Sequence, residues 1–262
     1  MTTPYLFDRV LVTNDDGIDA PGLAVAEALA ASLAREVWVV APEHDQSGVA
    51  QAISLHQPLR HYARGERRYA LSGTPADCVM FAIAHWFDQQ PPDLVISGVN
   101  CGANLSDAVM YSGTVGAVVA AAHLGVPAVA LSQAYQVRDR IDWAAVEAFG
   151  ADVIRKLVRR QPDAVCWNIN FPPLPAEQIK AARITRQFGG SVPRPVLKAG
   201  HDGRGLPYHW LEFRHDPQGV THAQSDVMAV REGYISVMPL QTSRCDEDRA
   251  QAGWQIGEIA LR

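Results

Sequence analysis

The sequence predicts a doubly wound α/β protein, and three observations carry that expectation. Short β-branched runs alternate with Ala-rich stretches through the first two-thirds of the chain. The 262 residues are 48% hydrophobic and 19% charged, which is enough apolar content to bury a large core. After about residue 172 the pattern shifts to prolines, glycines and alternating apolar and polar residues. Strands separated by helices connect through right-handed βαβ crossovers, so the main sheet is expected to be parallel and covered on both faces.

The elements follow in order. Arg9-Val10-Leu11-Val12-Thr13 reads as a buried strand, and Pro21 with Gly22 opens a helix expected over 21–34. Val37-Trp38-Val39-Val40 predicts the next core strand. Thr74 as N-cap and Pro75 at the first helical position start a helix over 75–87. Asp93–Ser97, Val126–Leu131 and Ala164–Asn168 complete the strand set, with helices near 114–124 and 142–160 between them. Pro172, Pro173 and Pro175 end this regularity and divide the chain into a core, 1–172, and a second part, 173–262. In that part Tyr208–Arg214 alternates as a half-exposed antiparallel strand does, so hairpins are expected. Gly233–Leu240 reads as a strand able to return to the core sheet.

Charge and composition exclude several classes. A net charge of −5 argues against general nucleic-acid binding, which needs clustered Lys and Arg. The one basic cluster, Arg64, Arg67 and Arg68, is interrupted by Glu66 and reads as a solvated hairpin tip. No run approaches the roughly 18 apolar residues of a membrane helix, and the N-terminus lacks the basic and apolar segments of a signal peptide. A cytoplasmic location without membrane contact is expected. Cys78, Cys101, Cys166 and Cys245 are scattered without a C-x-x-C pair, so neither a zinc knuckle nor a disulfide framework is indicated.

Chemistry concentrates in loops that follow strands. Adjacent Asp15 and Asp16 end the first strand, where open α/β sheets bind ligands, and two such carboxylates repel unless a cation lies between them. The same Asn-Asp-Asp-Gly run also makes a good turn. Pro42–Gly48 adds Glu43, His44, Asp45, Gln46 and Ser47 at the same sheet edge. After Ser97 come Gly98–Leu105 and then Tyr111-Ser112-Gly113-Thr114, where glycines and a helix start offer backbone donors to an anion. Helix capping by Ser112 or Thr114 explains the last group equally well. No Lys follows these glycines and the spacing is not G-x-G-x-x-G, so neither a Walker A loop nor a dinucleotide fingerprint is present. Ser72–Cys78 is explained by helix initiation. Oxygen-only ligands select a hard divalent cation, Mg²⁺ or Mn²⁺, and such a cation beside an anion cradle points to phosphoryl chemistry. His44, His123 and His201 read as surface or packing residues.

Five blocks now carry a resemblance: Thr13–Ile18, Ala41–Gly48, Ser72–Cys78, Ser97 to Gly116, and Ser225-Asp226 to Leu240. In these motifs, and in their order, the chain resembles the SurE (stationary-phase survival) nucleotidases. The resemblance implies a Rossmann-like three-layer α/β/α core with a mostly parallel sheet, and a C-terminal β-hairpin arm exchanged between subunits of a dimer or tetramer. It implies metal-dependent hydrolysis of nucleoside 5′-monophosphates, with 3′-nucleotides and short polyphosphate as further substrates. One divalent ion per subunit, Mg²⁺ or Mn²⁺, would be held by Asp15, Asp16, Ser47 and Asn100. Asn104 and Ser112 would act on the phosphoryl oxygens in catalysis, with Gly113 and Thr114 completing the cradle. Asp226 would serve assembly and the site only indirectly. The chain departs from the family pattern at Val118-Val119-Ala120-Ala121, where Ala-Met-Glu-Gly is usual, and at Met238, where Thr is usual.

Two other functions fit part of this pattern. An aspartyl-phosphate phosphatase generally carries Asp-x-Asp after its strand, whereas these carboxylates are adjacent. A nucleotide-binding regulatory module needs the cradle but has no use for two abutting acids that repel phosphate.

Overall fold

The computed structural model describes residues 5–160, 166–190, 195–213 and 222–243. In chain order the elements are β1 (Phe7–Thr13), α1 (Pro21–Ala31), β2 (Ala34–Pro42), β3 (His61–Gly65), β4 (Arg68–Leu71), α2 (Pro75–Trp86), β5 (Leu94–Cys101), α3 (Gly113–His123), β6 (Ala128–Gln133) and α4 (Ala144–Arg160). There follow β7 (Cys166–Phe171), β8 (Ala182–Ile184), β9 (Pro195–His201), β10 (Pro207–Phe213), α5 (Asp226–Arg231) and β11 (Ile235–Pro239). Nine strands make one sheet in the order β3-β4-β2-β1-β5-β6-β7-β11-β8. The pairs from β4 through β7 are parallel, as the βαβ rhythm requires, while β3 and β11 run antiparallel to β4 and β7.

Each central strand is apolar on both faces because helices cover both. Val10 and Val12 of β1 enter a core shared with Leu23 and Ala26 of α1 and with Val146 and Ile154 of α4. Leu11, pointing the other way, joins Val79 of α2 and Val118 of α3. Each fully buried Leu or Ile contributes about 2 kcal/mol to this arrangement. The α1 helix sits so close to the sheet that a Cβ on Gly22 would fall 1.9 Å from the Val99 carbonyl oxygen. Only glycine allows that approach.

Some boundaries differ from expectation for local reasons. The α1 helix stops at Ala31, because the Ser32 backbone N–H and hydroxyl both donate to the Leu29 carbonyl and Leu33 turns the chain toward β2. The hairpin expected at Arg64–Arg68 is present as β3–β4, whose strands are short and rich in Arg and Tyr. Its cationic cluster is paired rather than simply solvated. Arg64 meets Glu43, Arg67 meets Glu36 and Glu66, and Arg68 pairs with Glu27 while donating to the Ile18 carbonyl at 2.7 Å.

The chain beyond residue 172 splits between two places. Strands β8 and β11 extend the main sheet, with Ser236 opposite Asn170, so the expected return of the tail is found. Strands β9 and β10 form a separate antiparallel hairpin in which Leu197 faces Leu211 and Lys198 faces Trp210. Residues 164, 165 and 214, the ends of two expected strands, and Cys245 lie outside the described residues. Among the described residues no helix is long and apolar enough to cross a membrane.

Candidate active site

The sheet order fixes where a ligand binds. β2 and β5 lie on opposite sides of β1, so the connection after β1 leads to α1 on one face and the connection after β5 leads to α3 on the other. Between them opens the crevice that doubly wound sheets use. Asp15 and Asp16 follow β1 there, and Asn100 lies near the end of β5.

Local bonds hold the acidic turn in place. Asn14 Nδ2 donates to the Gly17 carbonyl at 2.8 Å, and Ile18 N donates to Pro42 O at 2.8 Å. Gly17 has φ +101°, and a Cβ there would sit 3.3 Å from His44 backbone, so the turn packs directly on the loop after β2. Gln46 N donates to the Asp15 carbonyl at 2.7 Å, and Ser47 N to Asp45 Oδ1 at 2.7 Å. Cys101 N donates to Asp16 Oδ2 at 3.0 Å. The loops bearing Asp15, Asp16, Ser47 and Asn100 are thereby stitched together.

The two carboxylates differ in surroundings. Asp15 is buried, and that burial pushes its pKa up to about 6, with the Asp16 charge adding to the rise. Thr114 opposes it by donating its hydroxyl at 2.5 Å and its backbone N–H. Asp16 is less enclosed; burial again raises its pKa, the Cys101 N–H and the Arg138 charge lower it, and Asp45 raises it. Burial and Asp16 also push the Cys101 thiol up, while Arg138 opposes them.

The N-terminus of α3 closes the other side. A Cβ on Gly113 would lie 2.8 Å from Asp15 Cβ, so the helix start touches the acid directly. Ser112 Oγ accepts from Val115 N at 3.1 Å, which is capping, yet its hydroxyl proton stays free to point elsewhere. Ser112 also lines a cavity of about 660 Å³ bounded by Gln51, Val119, Arg186 and Met238. Asn104 Nδ2 donates to Ser132 Oγ at 3.0 Å and to Thr114 Oγ1 at 3.3 Å, making a chain from Asn104 through Thr114 to Asp15.

Sequence reasoning missed the residues that hold Asn104. Asn170 Oδ1 accepts the Asn104 N–H at 2.8 Å, while Asn168 and Asn170 both donate to its carbonyl, at 2.8 and 3.1 Å. The available signal was two asparagines at period two inside the otherwise apolar β7, both fully buried. Asp226 was assigned to assembly. Within this chain it is buried and accepts the N–H of Ser106 at 2.8 Å, pinning a residue held at φ +53° between Asn104 and Ser112.

The residues fit a hard cation. Asn100 commits its Nδ2 to the Gly102 carbonyl at 2.8 Å, leaving Oδ1 as an acceptor, and Ser47 lies on the exposed loop that packs against Asp15. Among the described residues no three His, Cys, Asp or Glu side chains group as metal ligands, so the available set is two carboxylates and neutral oxygens. That donor set suits Mg²⁺ or Mn²⁺. Two carboxylates with raised pKa values are groups whose charge a cation would stabilise.

Fold and site define a doubly wound α/β protein with an oxygen-rich acidic centre at the switch point of its sheet. The family model described as survival protein SurE matches residues 10–192. The chain is 48% identical over 243 residues to 5′-nucleotidase SurE 1 of Burkholderia lata, covering 92% of this chain and 93% of that one. It is 43% identical over 248 residues to 5′-nucleotidase SurE of Bradyrhizobium diazoefficiens, covering 93% and 97%. The crystal structure of the SurE protein from Aquifex aeolicus superposes with a TM-score of 0.79 at 30% identity, covering 93% and 97%. This chain belongs to the SurE family.

Proposed function

We propose that the protein is a divalent-metal-dependent phosphomonoesterase that hydrolyses nucleoside 5′-monophosphates to nucleoside and phosphate. The observation that carries this reading is the Asp15–Asp16 pair clasped between the β5 loop and the N-terminus of α3. The printed names of the relatives, 5′-nucleotidase SurE, point the same way.

In this reading Asp15, Asp16, Ser47 and Asn100 hold one Mg²⁺ or Mn²⁺ per subunit. Such an ion offsets phosphate charge and makes a water molecule more acidic. Thr114 orients Asp15 and favours its ionised form. Ser112 donates its free hydroxyl proton to a phosphoryl oxygen. Gly113 and Thr114 bring the helix start, with its positive dipole end, toward the growing equatorial charge. Asn104 acts both on the phosphoryl group and, through Thr114, on Asp15. Either carboxylate serves to align the attacking water in line with the leaving oxygen.

The exposed β9–β10 hairpin supports association as a dimer or tetramer through an exchanged arm. Phosphate release from 5′- and 3′-nucleotides and tripolyphosphate, with Mg²⁺, Mn²⁺ and chelator compared, tests the function. Release from 5′-nucleotides that chelator abolishes is expected, and Asp15→Asn and Asp16→Asn each cut turnover by orders of magnitude. Tight nucleotide binding without phosphate release in excess Mn²⁺ overturns the reading in favour of a binding module.

A further inference from the structure

Two side chains outside the machinery above crowd the Asp16 edge of the centre. They come from the segment that leaves β6 at Gln133 and reaches α4 at Ala144. The root of this segment is fixed. Gln133 Nε2 donates to the carbonyls of Ala134 and Pro172, at 3.0 and 3.1 Å, and Ala134 N donates to Phe171 O at 2.9 Å. Beyond the root, Tyr135 and Arg138 turn back over the β5 loop. A methyl group built on Gly102 would lie 3.4 Å from Tyr135 Cε1 and 3.9 Å from Asn100 Nδ2, so the ring covers Gly102 beside Asn100. Arg138 bonds the Cys101 sulfur, and its charge acts on Asp16.

Packing does not account for either residue. Tyr135 belongs to neither hydrophobic core and is 36% exposed, which leaves part of its ring open to solvent. Among the described residues Arg138 has no carboxylate within ion-pair distance, so its charge is not spent in a salt bridge. An aromatic ring at the edge of an anion-binding centre can serve as a platform for a nucleobase, because every base has a π-face. A guanidinium at the same rim suits the anionic end of the substrate.

We propose that Tyr135 and Arg138 form the nucleoside-recognising rim of this site, Tyr135 stacking on the base and Arg138 meeting the phosphate side. The inference rests on the nucleotidase reading. Stacking prefers a purine, whose ring system covers more of the tyrosine than a pyrimidine does. Gly102 is part of the device: at φ +125° it accepts no side chain without strain, and the ring lies at contact distance above it.

The test compares AMP with ribose 5-phosphate, the same ester without a base, in wild type, Tyr135→Ala, Tyr135→Phe and Arg138→Gln with Mn²⁺. In Tyr135→Ala the ratio of kcat/KM for AMP over ribose 5-phosphate is expected to fall about tenfold, mainly through KM. Tyr135→Phe, which keeps the ring, preserves the ratio and controls for folding. Arg138→Gln raises KM for both esters several-fold with a smaller change in kcat. A ratio in Tyr135→Ala equal to that of wild type, or an equal loss on both esters, overturns the base platform. Unaltered KM values in Arg138→Gln overturn the role of the guanidinium. Wild-type protein that cleaves neither ester overturns the nucleotidase reading itself, and the rim with it.

Discussion

Asp15 is held in the folded chain at a cost that a cation would remove. A carboxyl whose folded pKa lies above its ordinary value supports the fold fully below about pH 4 and loses that contribution as the pH rises through about 6. In chelator, therefore, wild type gains stability on acidification from pH 7.5 to 5, by about 1.5 kcal/mol from this group. Asp15→Asn, isosteric and uncharged, lacks that gain. Urea unfolding of both proteins at the two pH values checks the difference, and parallel pH dependence in the two would contradict it. Thr114→Val removes the hydroxyl that donates to Asp15 at 2.5 Å. The acid limb of the pH–rate profile is then expected to move to higher pH and kcat to fall about tenfold. The adjacent acids were legible in the sequence because both stand at the end of one apolar strand. Asn168, Asn170 and Ser132 were not, since their purpose appears only when β6 and β7 lie side by side with Ser132 opposite Asn170.

At the scale of elements, α3 is set by glycines. Gly113 lets the helix start touch Asp15, and a Cβ on Gly116 would fall 2.1 Å from the Ala50 carbonyl oxygen. Gly116→Ala forces the loop carrying Ser47 away from the helix. A loss of about 1–3 kcal/mol in urea unfolding is expected, together with weaker Mn²⁺ binding by calorimetry. Normal Mn²⁺ affinity in that variant would separate the loop from the metal site. The departures at Ala120 and Met238 fall in this neighbourhood: Ala120 is buried on α3, and Met238 joins Val118 in the core and borders the large cavity. Helices α1 to α4 and strands β1, β2, β5, β6 and β7 were readable because β-branched runs and Ala-rich stretches are long enough to show a period. Strand β8 and the extents of β3 and β4 were not, these strands being three to five residues long and decided by pairing with neighbours.

Among the described residues the molecule presents a nine-stranded sheet and, apart from it, a hairpin. Leu197 and Leu211 share one face of that hairpin and Trp210 lies on the other, and each is more than half exposed, so both faces offer apolar side chains to a partner. Replacing Trp210 and Leu211 together by lysine is expected to reduce the solution mass to a single 28.5 kDa subunit, measured by light scattering. Retention of the wild-type mass would place the association surface elsewhere. The prolines at 172, 173 and 175 mark a change of pattern in the sequence, whereas the entry of β8 and β11 into the main sheet depends on pairing between segments far apart in the chain.

The bond from Ser106 to Asp226 joins residues 120 positions apart. A ribosome must therefore deliver all of β1 to β10 before the loop between Asn104 and Ser112 gains its anchor. Competence comes late in synthesis, and a polypeptide cut short ahead of Asp226 retains its acidic pair while lacking the brace that steadies the opposite wall.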